Sequence, residues 1–120
     1  MIIIPIIYKS ERIAKEFLLL AEKEGKTLTP MQLIKLVYLS HAWMLALYNR
    51  PLIDEPIEAW RYGPVISVLY QAIKNYRSNP VERIDCEDVT INNEALDVIT
   101  QVYKLYGEFT GIELSMLTHE

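Results

Sequence analysis

The run of residues 28–48 constrains this chain more than any other segment. Thr29 is placed to cap a helix, Pro30 suits the first helical position, and Gln32 follows at the spacing of a capping box. Beyond them the side chains are apolar on most faces: Leu33, Ile34, Leu36, Val37, Leu39, Trp43, Leu45 and Leu47. A helix with no polar face has to be wrapped by other elements. The pattern therefore predicts a helix over 30–48 at the centre of the fold, ended by Asn49-Arg50-Pro51.

The remaining segments supply the wrapping. Ile13, Phe17, Leu20 and Ala21 recur at helical spacing, which predicts a first helix over 10–23 with Gly25 as its stop. After the central helix, Pro51 and Pro56 bracket an ordered connection, and residues 57–62 read as a short extended segment or strand. Gly63-Pro64 then reads as the start of a third helix to about Tyr76, with Val65, Val68, Leu69, Ala72, Ile73 and Tyr76 buried. Residues 81–84 and 89–91 are candidates for a pair of short strands. Ala95, Val98, Ile99, Val102, Tyr103 and Tyr106 predict a helix over 93–106, with Gly107 as its cap. Thr110 and Glu113 form a second capping box, opening a short last helix that carries Leu114 and Leu117.

The fold class expected is mainly α: a compact domain of about five helices around a central apolar helix, with a small β element. No repeat or linker divides the 120 residues, so 1–120 reads as one domain. A hydrophobic content of 51% is too high for a disordered chain. The net charge of −4 argues against a broad nucleic-acid face, because such binding depends on neutralising phosphates. The single cysteine, Cys86, excludes an intramolecular disulfide and a thiolate zinc site. Residues 1–7 are apolar but lack a basic flank and contain Pro5, and residues 36–48 are too short to cross a bilayer. A cytoplasmic protein with no membrane partner is expected.

The chain carries no nucleophile elbow, phosphate loop, paired-histidine metal motif or dinucleotide fingerprint. No cofactor, metal or catalytic residue is assigned. His41, close to Tyr38 on the central helix, marks a polar site with two readings. It is a general base or partner contact, or a histidine at the core boundary, oriented by a backbone carbonyl or by Tyr38. His119-Glu120 reads as a polar chain end. Asp54, Glu55 and Glu58 cluster in the connection and read as a solvated rim, or as ion partners of Arg50 or Arg61. Trp60-Arg61-Tyr62 has the composition of a binding hot spot; equally, Trp60 locks the connection onto the core. Arg61 next to a helix starting at Gly63-Pro64 would make a small anion site.

The run Leu28-Thr29-Pro30-Met31-Gln32-Leu33-Ile34-Lys35-Leu36-Val37-Tyr38, together with His41-Ala42-Trp43, Arg50-Pro51-Leu52, Asp54-Glu55 and Ile57-Glu58-Ala59-Trp60-Arg61-Tyr62-Gly63-Pro64-Val65, resembles the signature of the Panacea domain. That family includes SocA-like antitoxins and GepA-type phage-associated proteins. The likeness resumes at Tyr106-Gly107 and Leu114-Ser115-Met116-Leu117-Thr118-His119-Glu120. It implies an antitoxin that neutralises a cognate toxin by direct contact, or an adaptor that delivers the toxin to an ATP-dependent protease. Relatives usually continue past the Leu-Thr-His-Glu stretch, so a C-terminally abbreviated domain is expected. On this reading Arg50, Asp54, Glu55, Glu58, Trp60, Arg61 and Tyr62 contact the partner protein, and a homo-oligomer is compatible with the sequence. Two alternatives stand beside it: a phage or prophage accessory protein binding a host factor, and a small hydrolase using His41 with Asp54 or Glu58.

Overall fold

Helix α2 (Pro30–Tyr48) begins as its sequence predicts. The Thr29 side chain accepts from the Gln32 amide, and Gln32 Oε1 accepts from the Thr29 amide at 2.8 Å. The Gln32 side chain also donates to the Phe109 carbonyl at 2.9 Å, tying this helix start to the chain just ahead of the last helix. The computed structural model describes residues 6–119. Within them lie α1 (Ser10–Lys23), α2, strands β1 (Ile57–Trp60) and β2 (Gly63–Ile66), α3 (Ser67–Ile73) with a 3-10 turn at Lys74–Tyr76, α4 (Asn93–Tyr106) and α5 (Gly111–Thr118). The fold is mainly α with a small antiparallel hairpin. Most of the apolar stretch at 1–7, and Glu120, lie outside the described residues.

α2 is the hub: α1, α3, α4, α5 and β2 all pack against it. Residues Leu33 to Val37 are buried without a break, the mark of a helix enclosed on every side. Phe17 and Ile13 of α1, Leu69 and Ile73 of α3, Ile99 and Val102 of α4, and Leu114 of α5 complete the core at 1% exposure or less. Each such side chain contributes about 1.5–3 kcal/mol of transfer free energy. The enclosure ends at Met44, and Leu45, Leu47 and Tyr48 are exposed. The cause is length: α2 has 19 residues against 14 each for α1 and α4, so at about 1.5 Å per residue it overruns both. Asn49 then closes α2 in the left-handed conformation at φ 53°.

Two expectations fail. Residues 63–66 are not the first turn of a helix but the return strand of a hairpin, pairing Ile57 with Ile66 and Trp60 with Gly63. Pro64 is tolerated because both strands of a two-stranded sheet are edges. α3 consequently starts at Ser67, and its buried residues are Leu69 and Ile73, with Val68 and Ala72 exposed. Residues 81–84 and 89–91 form no strands. This segment crosses the surface in extended form, inserting Val81, Ile84 and Ile91 singly into the core. It is held by the Val81 amide on Leu28 O (2.8 Å) and by Arg12 Nε donating to Val89 O (2.7 Å). Gly107 does cap α4, but in right-handed conformation; a Cβ there would meet Tyr103 O at 2.5 Å. Among the described residues no helix is long and apolar enough to cross a membrane.

Candidate interaction site at the hairpin tip and last helix

The β1–β2 turn is Arg61-Tyr62, and both residues keep negative φ while Gly63 takes φ +99°. Glycine is required at this position twice over. The left-handed backbone favours it, and a Cβ would come within 3.0 Å of Lys35 Nζ. Lys35 projects from the enclosed half of α2 and is fully buried. Its Nζ donates to Tyr62 O at 2.8 Å and to Pro64 O at 2.9 Å. No carboxylate pairs with it among the described residues. Burial therefore lowers its pKa to about 8. Lys35 is thus a strut from the core to the hairpin tip. The signal for it was present in the sequence: one lysine inside a helix otherwise enclosed by apolar neighbours has to reach fixed polar partners.

Two glycines seat the ends of α5. At its start, Gly111 lies so close to Met31 of α2 that a Cβ would sit 2.8 Å from the Met31 Cβ. At its end, Thr118 and His119 lie over Gly63 of the hairpin. The helix start carries the predicted capping box, with Thr110 accepting from the Glu113 amide at 3.1 Å and Glu113 accepting from the Thr110 amide at 2.8 Å. Leu114 and Ser115 face inward, while Ile112 and Met116 share the outer face at 76% and 74% exposure.

Between these elements runs an open groove of about 770 Å³, lined by Met31, Arg61, Tyr62, Ile112, Ser115, Met116 and His119. The Ser115 hydroxyl in its lining is buried and has no hydrogen-bond partner among the described residues. Met31 and Tyr62 also border a second hollow of about 390 Å³, with Pro30, Ile34, Trp60, Val65, Tyr70, Lys74 and Arg77. Scattered exposed apolar residues are ordinary; a contiguous set around a concavity marks a contact surface. Nothing in the sequence singled out Ile112 or Met116, because the face a short helix buries is set by its neighbours.

The seven expected contact residues divide. Arg50 pairs with Glu94 of α4 and lies over the Tyr48 ring. Asp54 lies 3.8 Å from Lys9. Glu55 Oε1 accepts from the Ser10 amide at 2.8 Å, in the first turn of α1, whose own cap residue supplies no side-chain acceptor. Glu58 accepts from Trp60 Nε1 at 2.9 Å. Of the two readings of these acids, pairing with Arg50 or Arg61 does not occur, while Asp54 and Glu58 are exposed as a solvated rim would be. Trp60 packs edge-on against Tyr70, with ring centroids 5.0 Å apart, and does lock the hairpin onto the core. Arg61 and Tyr62, with the Arg61 guanidinium 5.8 Å over the Tyr62 ring, are exposed at the hairpin turn and are the two of the seven that line the groove. The anion site expected at Arg61 does not form, since no helix starts at Gly63.

His41 is half-buried, and its Nδ1 accepts from the Leu52 and Ile53 amides at 3.2 and 3.3 Å. It fastens the connection as an acceptor, which fixes the proton on Nε2; the expected carbonyl or Tyr38 partner is replaced by two amides. Burial lowers its pKa below the usual histidine value. Neither Asp54 nor Glu58 hydrogen-bonds to it. Tyr38 and Glu58 meet instead in a shallow hollow with Thr118 and His119. Cys86 is half-buried, and burial raises its thiol pKa. No group of three or more His, Cys, Asp or Glu able to hold a metal occurs among the described residues.

His41 and Glu55 are engaged with backbone amides, while the groove between the hairpin tip and α5 stays open. The family model described as antitoxin SocA-like, Panacea domain, matches residues 33–120, and the chain belongs to that family. The match includes the hairpin, α5 and Lys35 but begins after Met31. No curated protein and no solved structure matches the chain.

Proposed function

We propose that this protein is the antitoxin of a toxin–antitoxin pair, a single domain acting in the cytoplasm, which neutralises its toxin by direct binding and without turnover. The observation that carries the proposal is the apolar groove bounded by Tyr62, Ile112 and Met116, set on a rigid frame in a chain of an antitoxin family. Burying an aromatic anchor and flanking aliphatic side chains inside a polar rim is how such surfaces gain affinity. Arg61 and Tyr62 contact the toxin. Arg50, Asp54, Glu55, Glu58 and Trp60 contribute indirectly, by holding the hairpin in place.

The test is growth rescue. The reading frame beside this gene is expressed under a tight promoter, with and without the antitoxin. Wild type restores growth, whereas the Tyr62→Ala/Met116→Glu double variant loses rescue and binds the purified toxin at least about 100-fold more weakly, the scale of a lost hot spot. Its thermal melting stays within about 0.5 kcal/mol of wild type, because both side chains are exposed. Full rescue by that variant removes the groove from the mechanism. Rescue that depends on a host ATP-dependent protease would identify the adaptor route.

A further inference from the structure

The groove and the adjoining hollow are electrically unlike the rest of the molecule. The chain has 16 acidic residues against 12 lysines and arginines. Yet the two linings contain Arg61, Lys74 and Arg77 and, among the described residues, not one carboxylate. All three cations are exposed, and none forms an ion pair among the described residues. The nearest acid on α5, Glu113, folds back onto its own helix cap. Behind the same turn stands the Lys35 ammonium, neutralised by no carboxylate. The other hollows differ: each has carboxylates in its lining, Glu11, Glu55, Asp85 and Glu87 in one, Glu58 in another, and Glu16 and Asp88 in a third.

We infer that the groove receives an acidic amphipathic segment of the partner protein, whose apolar side chains lie against Tyr62, Ile112 and Met116 and whose carboxylates meet Arg61, Lys74 and Arg77. The inference rests on reading this groove as a protein contact. Apolar anchors supply the affinity, and the cations select the partner and speed encounter. An acidic chain repels other acidic proteins in general. Gathering these cations at an apolar groove creates a local exception, so an acidic segment is favoured there over the acidic surface elsewhere. A basic segment faces the opposite arrangement.

Two fluorescein-labelled amphipathic helical peptides of equal length and identical apolar positions serve as probes, one with glutamate and one with lysine at every polar position. Fluorescence anisotropy against the full chain at low salt is expected to show the glutamate peptide binding roughly tenfold more tightly or better, from three exposed cations each worth a modest factor. The preference fades as salt rises. Arg61→Glu/Lys74→Glu/Arg77→Glu reverses it, and Met116→Glu weakens both peptides. Equal binding, no binding, a preference for the lysine peptide, or an unchanged preference in the triple variant overturns the inference, as does a concentration-dependent dimer abolished by Met116→Glu, which would make a second copy the occupant. The antitoxin reading fails separately. If wild type does not rescue growth from the neighbouring gene product, that reading falls while the peptides still decide the chemistry of the groove. If wild type and the charge-reversed variant rescue equally, the acidic segment is excluded and the antitoxin reading stands.

Discussion

The connection between α2 and α3 contains two polar stretches of opposite fate. From Arg50 to Glu58, each of the four charged residues singled out is occupied by the molecule itself: Arg50 by Glu94, Asp54 by Lys9, Glu55 by the first turn of α1, Glu58 by Trp60. Three residues further on, Arg61 and Tyr62 touch little but each other. The backbone carbonyl of Tyr62, by contrast, is anchored from inside by Lys35. The tip is therefore fixed in position while its side chains remain unspent. That is the arrangement a binding surface needs, since ordering a loop on binding costs affinity. Charge and aromatic content alone did not separate the two stretches. The fate of each polar group did.

The comparison breaks most forcefully at Lys35. Lys35→Met keeps the volume but strands the Tyr62 and Pro64 carbonyls, and the expected destabilisation is about 2–4 kcal/mol. Chemical denaturation measures it. The lysine also gives a pH signature. Its pKa is 10.5 unfolded and about 8 folded, so between those values the unfolded chain binds more protons and stability rises with pH. Its contribution is fully present above 10.5 and is lost as pH falls through 8. The gap between wild type and Lys35→Met should therefore widen from pH 8 upward. Tyr103, donating to Glu24 at 2.9 Å, opposes this at the alkaline end: burial pushes it up to about 12, so its contribution is lost as pH rises from 10. A gap that stays flat with pH would show that burial does not lower the Lys35 pKa.

Glu55 ranks next. α1 follows the cap residue Lys9, whose side chain offers no acceptor to the helix, and Glu55 supplies the missing carboxylate from 45 positions away. Glu55→Ala should cost about 1–2 kcal/mol through the loss of a charge-assisted bond and of a favourable charge at a helix N-terminus. It should leave toxin binding unchanged except through stability. If binding fell with stability intact, Glu55 would belong to the contact surface and the division proposed above would be misplaced.

This bond also shows where sequence reading reaches its limit. α2 and α5 were legible because their start signals are local, Thr29 with Gln32 and Thr110 with Glu113, and α4 was legible from its apolar spacing. The central place of α2 followed from its lack of a polar face. The hairpin was half legible. β1 was visible, but Arg61-Tyr62 carries none of the Asn-Gly or Asp-Gly signal of a tight hairpin, and Gly63-Pro64 imitates a helix start. Residues 81–91 misled for another reason. Val81, Ile84 and Ile91 are buried one at a time by a meandering chain, which imitates strand alternation without a partner. The site was least legible. Trp60, Arg61 and Tyr62 were singled out from the sequence and border the two hollows, but the Ile112 and Met116 wall depends on how α5 docks, and that docking is set by Gly111 on Met31 and His119 over Gly63.

His41 sharpens the comparison by pH rather than by size. Its Nδ1 can accept from the two amides only while that nitrogen is unprotonated, and burial holds its pKa below 6.5. The unfolded chain therefore takes up the proton first on acidification. The stability His41 supplies is present above 6.5 and is lost as pH falls through the lower folded value. His41→Asn keeps an acceptor oxygen near the Nδ1 position and does not titrate. It should flatten the acid limb of stability relative to wild type, with little change at neutral pH. An acid limb unchanged in the variant would mean that the loss of stability arises at another group.

The smallest expected effect is at Asp54, and it is informative because it sits beside Glu55. Its partner Lys9 is 3.8 Å away, with side-chain exposures of 52% for the aspartate and 72% for the lysine. A pair this open gains little from its charges after solvent screening and side-chain ordering. Asp54→Ala should therefore change stability by no more than about 0.5 kcal/mol. Adjacent carboxylates in one loop would then differ severalfold in worth, solely because one reaches backbone amides at a helix start and the other reaches a flexible cation in water. A cost for Asp54→Ala equal to that for Glu55→Ala would mean that the connection is held by its summed charge rather than by individual bonds. Arg61, at the far end of the hairpin, would then lose its claim to be the free cation of an otherwise satisfied loop.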